Sequence, residues 1–215
     1  MKIKIVSIFL LFLSTIVTSQ EMLTQKTIIT SNIIELEALG LDTVTIENSK
    51  DESLEIILVD KNPNSHTILI DDNKSLTKVK FKLDFNFKND VFRKYITERL
   101  ERAEVLLKVP KNKTLVIYGE TVGINSKGYK GNIEIFIDRG NVNLNEVKGN
   151  VQVKLFIGNV SASLNNNTNI DIKSKKGAIY INDKKVDSLG YPKKEKALYT
   201  FQVNSIKANV RVKVL

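Results

Sequence analysis

Few residues in this sequence are equipped for chemistry. His66 is the single histidine and there is no cysteine. A histidine-based triad would need an activated serine and a positioned acid, and no nucleophile-elbow motif occurs. Zinc and copper sites draw several ligands from His and Cys, so no metal and no cofactor is expected, and His66 reads as a structural or exposed side chain. Carboxylates remain. Glycoside hydrolysis needs two of them across one bond. Glu134 and Asp171 are the pair that could share an outward sheet face, two coils apart with Gln152 between, hence about 9.6 Å at a strand spacing of about 4.8 Å. That is the far limit for an inverting pair, and any exposed sheet with alternating polar residues yields such pairs. No catalytic, cofactor-binding or metal-binding residue is therefore assigned. Asp71, Asp72 and Asn73 lack the spacing of a calcium loop and read as a turn. Asp42-Thr43-Val44 and Asp187-Ser188-Leu189 match the acid, hydroxyl, apolar pattern of some bacterial O-glycosylation sites, a pattern short enough for chance.

The elements that would carry such residues are set by a repeat between Gly131 and Asn182. It reads GNIEIFIDR, GNVNLNEVK, GNVQVKLFI, GNVSASLNNN, TNIDIKSKK, GAIYIN, and Gly131, Gly140, Gly149 and Gly158 stand nine residues apart. A fixed short period marks a stacked-repeat architecture. Within each unit the third and fifth positions are apolar: Ile133 and Ile135, Val142 and Leu144, Val151 and Val153, Val160 and Ala162, Ile170 and Ile172, Ile179 and Ile181. Glu134, Asn143, Gln152, Ser161, Asp171 and Tyr180 lie between them, which is the alternation of a strand with one buried face. One reading stacks two units per coil, placing Asn132, Asn150 and Asn169 in one ladder and Asn141 with Asn159 in another that ends at Ala178. The other treats Gly-Asn as turn chemistry joining hairpins.

Ahead of the repeat, Lys2 and Lys4 precede an apolar run from Ile5 to Val17, followed by small residues. This is the pattern of a signal peptide spanning 1–19, with a cut before Gln20, and it is short for a membrane span. The rest, 20–215, reads as a single elongated β domain without disulfides or a transmembrane span, exported to the periplasm or cell surface. A β-rich lead-in covers 20–112, with strands predicted at Ile33–Leu36, Thr43–Glu47, Leu54–Val59, Thr67–Ile70 and Val79–Phe87. One short helix is predicted from Asn89 to Arg102, where Phe92, Tyr95, Ile96 and Leu100 recur at helical spacing. Counting back by nines starts the repeat near Lys113, and it runs through 113–215 with an insertion at 183–198. The beat returns at Tyr199 and Ala208, with Phe201, Val203, Val210 and Val212 inward. The chain carries a formal charge of +9. Its lysines are scattered or cluster near Lys173–Lys176 and Lys184–Lys196 without an interleaved arginine or aromatic stacking motif. They read as a solvated face, not a nucleic-acid site.

The run from Val105 to Val160 resembles a family of exported bacterial β-strand-repeat proteins of unknown function, adhesin-like, with head domains built on Gly-Asn-Ile/Val repeats. The resemblance implies a signal peptide and a right-handed β-solenoid or β-roll, and it supplies no catalytic residue. The expectation is thus an all-β chain with a nine-residue repeat and about two strands per coil. Its expected role is a non-catalytic structural or binding one in the bacterial envelope, with a glycan or an envelope protein as partner. Two rivals stand beside it: a periplasmic accessory of envelope-stress signalling, and a carbohydrate-active β-helix using Glu134 and Asp171. The insertion and the polar outward faces are where contacts are expected.

Overall fold

The computed structural model describes residues 21–60, 66–83, 103–187, 194 and 196–215. These are all β, with no helix among the described residues. The expected signal peptide at 1–19 and helix at Asn89–Arg102 lie outside the described residues.

Among the described residues, fifteen strands hydrogen-bond into one large mixed sheet that does not close into a barrel. In chain order they are β1 (Glu21–Ile28), β2 (Ile33–Glu37), β3 (Leu41–Asn48), β4 (Ser53–Asp60), β5 (His66–Asp72), β6 (Thr77–Leu83), β7 (Ala103–Val109) and β8 (Thr114–Thr121). There follow β9 (Gly123–Lys127), β10 (Asn132–Asn145), β11 (Val151–Leu164), β12 (Thr168–Ser174), β13 (Ile179–Ile181), β14 (Lys184–Val186) and β15 (Tyr199–Val214). The predicted lead-in strands match β2 to β6 over their described residues. β1 lies outside the predicted strands, because EMLTQKTI does not alternate: Met22, Leu23 and Ile28 are all exposed.

The nine-residue beat is a bent strand. Each of β10 and β11 takes up two repeat units, with Gly140 and Gly158 inside. β10 pairs in parallel with β11 eighteen positions on and with β8 and β9 eighteen positions back. The Gly-Asn corners therefore join parallel strands, and the hairpin reading fails there. The two halves of each bent strand extend two rows. One runs β5–β6–β2–β8, then the first halves of β10, β11 and β15, then β12. The other runs β1–β4–β7–β3–β9, then the second halves of β10, β11 and β15, then β13 and β14.

Parallel pairing thus extends ahead of Lys113, since β2 and β3 stack on β8 and β9. At the other end the order departs from the sequence. β15 lies between β11 and β12, pairing in parallel with both, so consecutive repeats do not stay consecutive in space. Within the expected insertion, β14 folds back on β13 as a hairpin. Its two turn residues, Asn182 and Asp183, both have positive φ, 48° and 62°, as a type I′ turn requires.

Every apolar position that the repeat directs inward is buried, from Ile133 to Ile181 and again at Phe201, Val203, Val210 and Val212. They join the apolar side chains of β2 to β7 in one core cluster. At Gly158 the backbone has φ 146°, and an added Cβ would sit 1.8 Å from the Gly140 carbonyl oxygen. Glycine recurs at this corner because the strand below occupies the space where a side chain would begin.

Candidate functional site

The residues with catalytic potential are not brought together. Glu134 pairs with Gln152, Gln152 with Gln202 and Gln202 with Asp171. Three strand spacings, about 14 Å, therefore separate the two carboxylates. The expected 9.6 Å assumed that β12 sits next to β11, and the intervening β15 overturns it. A water-mediated inverting pair does not span that distance. Asp171 instead lies 3.9 Å from Lys173 on its own strand. His66 opens β5 opposite Leu83, on a strand that among the described residues pairs with β6 alone. The Asp71–Asn73 stretch is a turn: Asn73 Oδ1 accepts from the backbone N–H groups of Ser75 and Leu76, and the Thr77 hydroxyl donates to Asp72.

The corners carry polar ladders that differ in order from the expectation. Asn159 donates to Asn141 at 2.9 Å. Asn209 of β15 donates to Asn159 at 3.5 Å and accepts from the Ala178 backbone N–H at 3.0 Å. The ladder does end at Ala178, with Asn209 inserted before it. At the other corner the Asn150 N–H donates to Asn132, but the next rung is Thr200, whose N–H donates to Asn150 at 3.0 Å. Asn169 follows Thr200 in register.

Charges near the N-terminal end of the stack cancel. Along one outward column Lys26, Glu55, Lys108, Glu47 and Lys127 alternate in sign, with Lys108 3.0 Å from Glu55 and Lys127 3.6 Å from Glu47. On the other row Lys78 and Lys80 approach Glu35 and Glu37 at 3.6 and 2.5 Å. Asp51 accepts from Lys26 at 2.7 Å and from the Ser53 and Ser49 hydroxyls and the Ser53 N–H. Those donors, Lys26 foremost, hold its carboxyl well below the usual carboxylate range, and the same contact raises the Lys26 ammonium.

The opposite end is different. An outward column crosses seven strands as Lys80, Glu37, Tyr118, Phe136, Lys154, Asn204 and Lys173. Tyr118 and Phe136 stack with centroids 5.3 Å apart and planes 16° apart, and the Lys154 ammonium lies 5.1 Å from the Phe136 centroid. Beside this column, where β10, β11 and β15 bend, a cleft of about 560 Å³ opens between Phe136, Phe156, Lys154, Lys173, Lys175 and Ile206. Phe156 is 48% exposed, and the Lys207 ammonium lies 6.0 Å from its ring centroid. Asp138 is the one carboxylate in the lining. The sequence hides this site. Its members come from β8, β10, β11, β12 and β15, and only the registers align them.

No family model and no curated protein matches the sequence. Solved structures do. A Clostridium sporogenes protein described as a "putative cell adhesion protein" superposes with a TM-score of 0.60 at 12% identity, covering 92% of this chain and 100% of that one. A Bacteroides fragilis protein described as a "putative adhesin" is matched at 15% identity over 92% of this chain and 98% of that one, with a TM-score of 0.38. The likeness to the Clostridium protein, spanning nearly the whole of both chains, is one of backbone architecture.

Proposed function

We propose that this chain is an exported, adhesin-like protein of the bacterial envelope, a non-catalytic β-solenoid with two strands per coil that presents a rigid binding surface. The observation that carries the reading is the cleft beside Phe136 and Phe156. The exposed Phe156 ring, the half-buried Phe136 ring and lysines that, among the described residues, lack a close acidic partner are held there on strands fixed by parallel registers, and rigid placement of this kind lowers the ordering cost of binding. The eighteen-position register between β8, β10 and β11, the two rows of strands and the Asn ladders support the solenoid. The fold shared with a protein described as a cell adhesion protein supports the adhesin-like role, and the Lys2–Ser19 pattern supports export. The separation of Glu134 from Asp171 weighs against a carbohydrate-cleaving role.

Protease treatment of intact cells that produce the protein, with a lysed control, tests surface display. Cleavage in intact cells is the expected outcome. Protection until lysis would confine the protein to the periplasm and sink the adhesin-like reading.

A further inference from the structure

We propose that the cleft between Phe136 and Phe156 binds an acidic polysaccharide, a chain of uronate sugars lying across the strands with its carboxylates on the lysine rim. The inference rests on the binding role proposed above and assigns it a ligand class and a place.

Three observations converge there. First, the lysines are available. At the N-terminal end Lys26, Lys78, Lys80, Lys108 and Lys127 each have an acidic partner within 4 Å. Among the described residues, Lys154, Lys175 and Lys207 have none, and Lys173 has only Asp171 at 3.9 Å. An ammonium without a fixed partner forms a charge-assisted bond to a ligand carboxylate without first breaking one. Second, the floor is apolar, with the Phe156 ring exposed. Phe136, Phe156, Leu155 and Ile206 line the cleft, and Phe156, 48% exposed, offers contact surface to the C–H faces of sugar rings. Third, the spacing suits a polymer. Lys154, Asn204 and Lys173 sit on successive neighbouring strands, and one strand spacing is close to the advance of one sugar ring along an extended 1,4-linked chain. A polyuronate can therefore repeat its contacts from strand to strand.

A single-stranded nucleic acid also carries repeated negative charge, but its affinity draws on bases stacking on open aromatic faces. Here Tyr118 and Phe136 cover each other's facing surfaces and Lys154 lies over Phe136, which closes that column to a base. The edges of aromatic rings carry the positive end of the quadrupole, which again favours an anionic ligand.

The test is titration calorimetry of the purified protein with octameric galacturonate at low salt. A neutral galactose oligomer and a single-stranded oligonucleotide are the comparison probes. Binding of the galacturonate alone is expected, weakening as salt rises. Lys154→Ala with Lys175→Ala should lower affinity about tenfold or more, and Phe156→Ala should do so without changing the salt dependence. A charge change far from the cleft, Lys111→Ala, should leave the affinity unchanged, with thermal melts confirming that each variant is folded. No galacturonate binding, equal binding of the neutral oligomer, tighter binding of the oligonucleotide, or indifference to the cleft variants would each overturn the proposal. A protein cleaved on intact cells that ignores galacturonate loses this ligand and keeps the envelope role. One that binds galacturonate but stays protected until lysis loses the surface role and keeps the site.

Discussion

A Cβ on Gly158 would lie 1.8 Å from the Gly140 carbonyl oxygen, on a backbone already at φ 146°. Gly158→Ala therefore has to displace the neighbouring strand as well as bear the strain. Gly128 makes the control: its φ is +64°, but a Cβ there meets nothing within 4 Å. Gly128→Ala should cost only about 1–2 kcal/mol of left-handed strain. Gly158→Ala should exceed that and lower the urea midpoint correspondingly further; equal midpoints would refute the close-approach account. A pH effect belongs to the same scale. Asp51 has its carboxyl depressed by Lys26 and the two serines, so its contribution to stability is fully present above the ordinary aspartate range. It is lost as pH falls below about 4 toward the depressed folded value. Asp51→Asn should be less stable than the parent at pH 7, with the gap in melting temperature narrowing below pH 4. A gap that stays constant down to pH 2 would rule the linkage out. At this scale the sequence was informative about corners and inward positions, because glycine spacing and two-residue alternation are local. It was silent on Tyr129, which is fully buried with its hydroxyl donating to the Lys113 carbonyl at 2.9 Å. Burial pushes that phenol above its ordinary range.

Among the elements, β15 decides the architecture of the C-terminal end. It occupies the space that the repeat pattern allots to direct contact between β11 and β12; Asn209 carries one corner ladder on to Ala178, while the other reaches Thr200 and Asn169 bonds to Lys194 instead. Periodicity specifies which face a strand buries and where it bends, not which strand it lies beside. Tyr199 and Ala208 were readable as a return of the beat, while their position between earlier repeats was not. That is why Glu134 and Asp171 were placed one strand too close. A chain ending at Leu198 should leave Val151–Leu164 and Thr168–Ser174 with open ladders and an uncovered apolar face. Open ladders and apolar faces associate, so this truncation is expected to aggregate or to lose its β signal in circular dichroism. Restoring residues 199–215 as a separate peptide should recover the fold in part, since the register is set by Phe201, Val203, Val210 and Val212 entering the core. A truncated chain as soluble and as β-rich as the parent would show that β11 and β12 pair without it.

At the scale of the whole molecule, stacked repeats are quasi-one-dimensional, and their ends can come apart separately. In this chain each end is stitched within itself, and the core runs through the whole stack. At the C-terminal end β15 is inserted between β11 and β12. At the other end β6 lies between β2 and β5, and β7 between β3 and β4, so later strands again separate earlier ones. Each end is thereby interleaved within itself: β1 to β7 form one block and β12 to β15 another, joined to the centre through the β2–β8, β3–β9 and β11–β15 pairings. The apolar side chains also form one cluster from Ile68 and Val79 through Val142 to Ile172 and Val212. The expected consequence is a single cooperative transition, followed by tyrosine fluorescence and by far-UV circular dichroism with coincident midpoints. Val79→Ala near one end and Ile172→Ala near the other bury nothing in common, and each should destabilise by about 1–4 kcal/mol. Both should move the whole transition to lower denaturant and leave its slope unchanged. If either instead splits the transition in two, the stack unfolds from its ends and the shared core does not couple them.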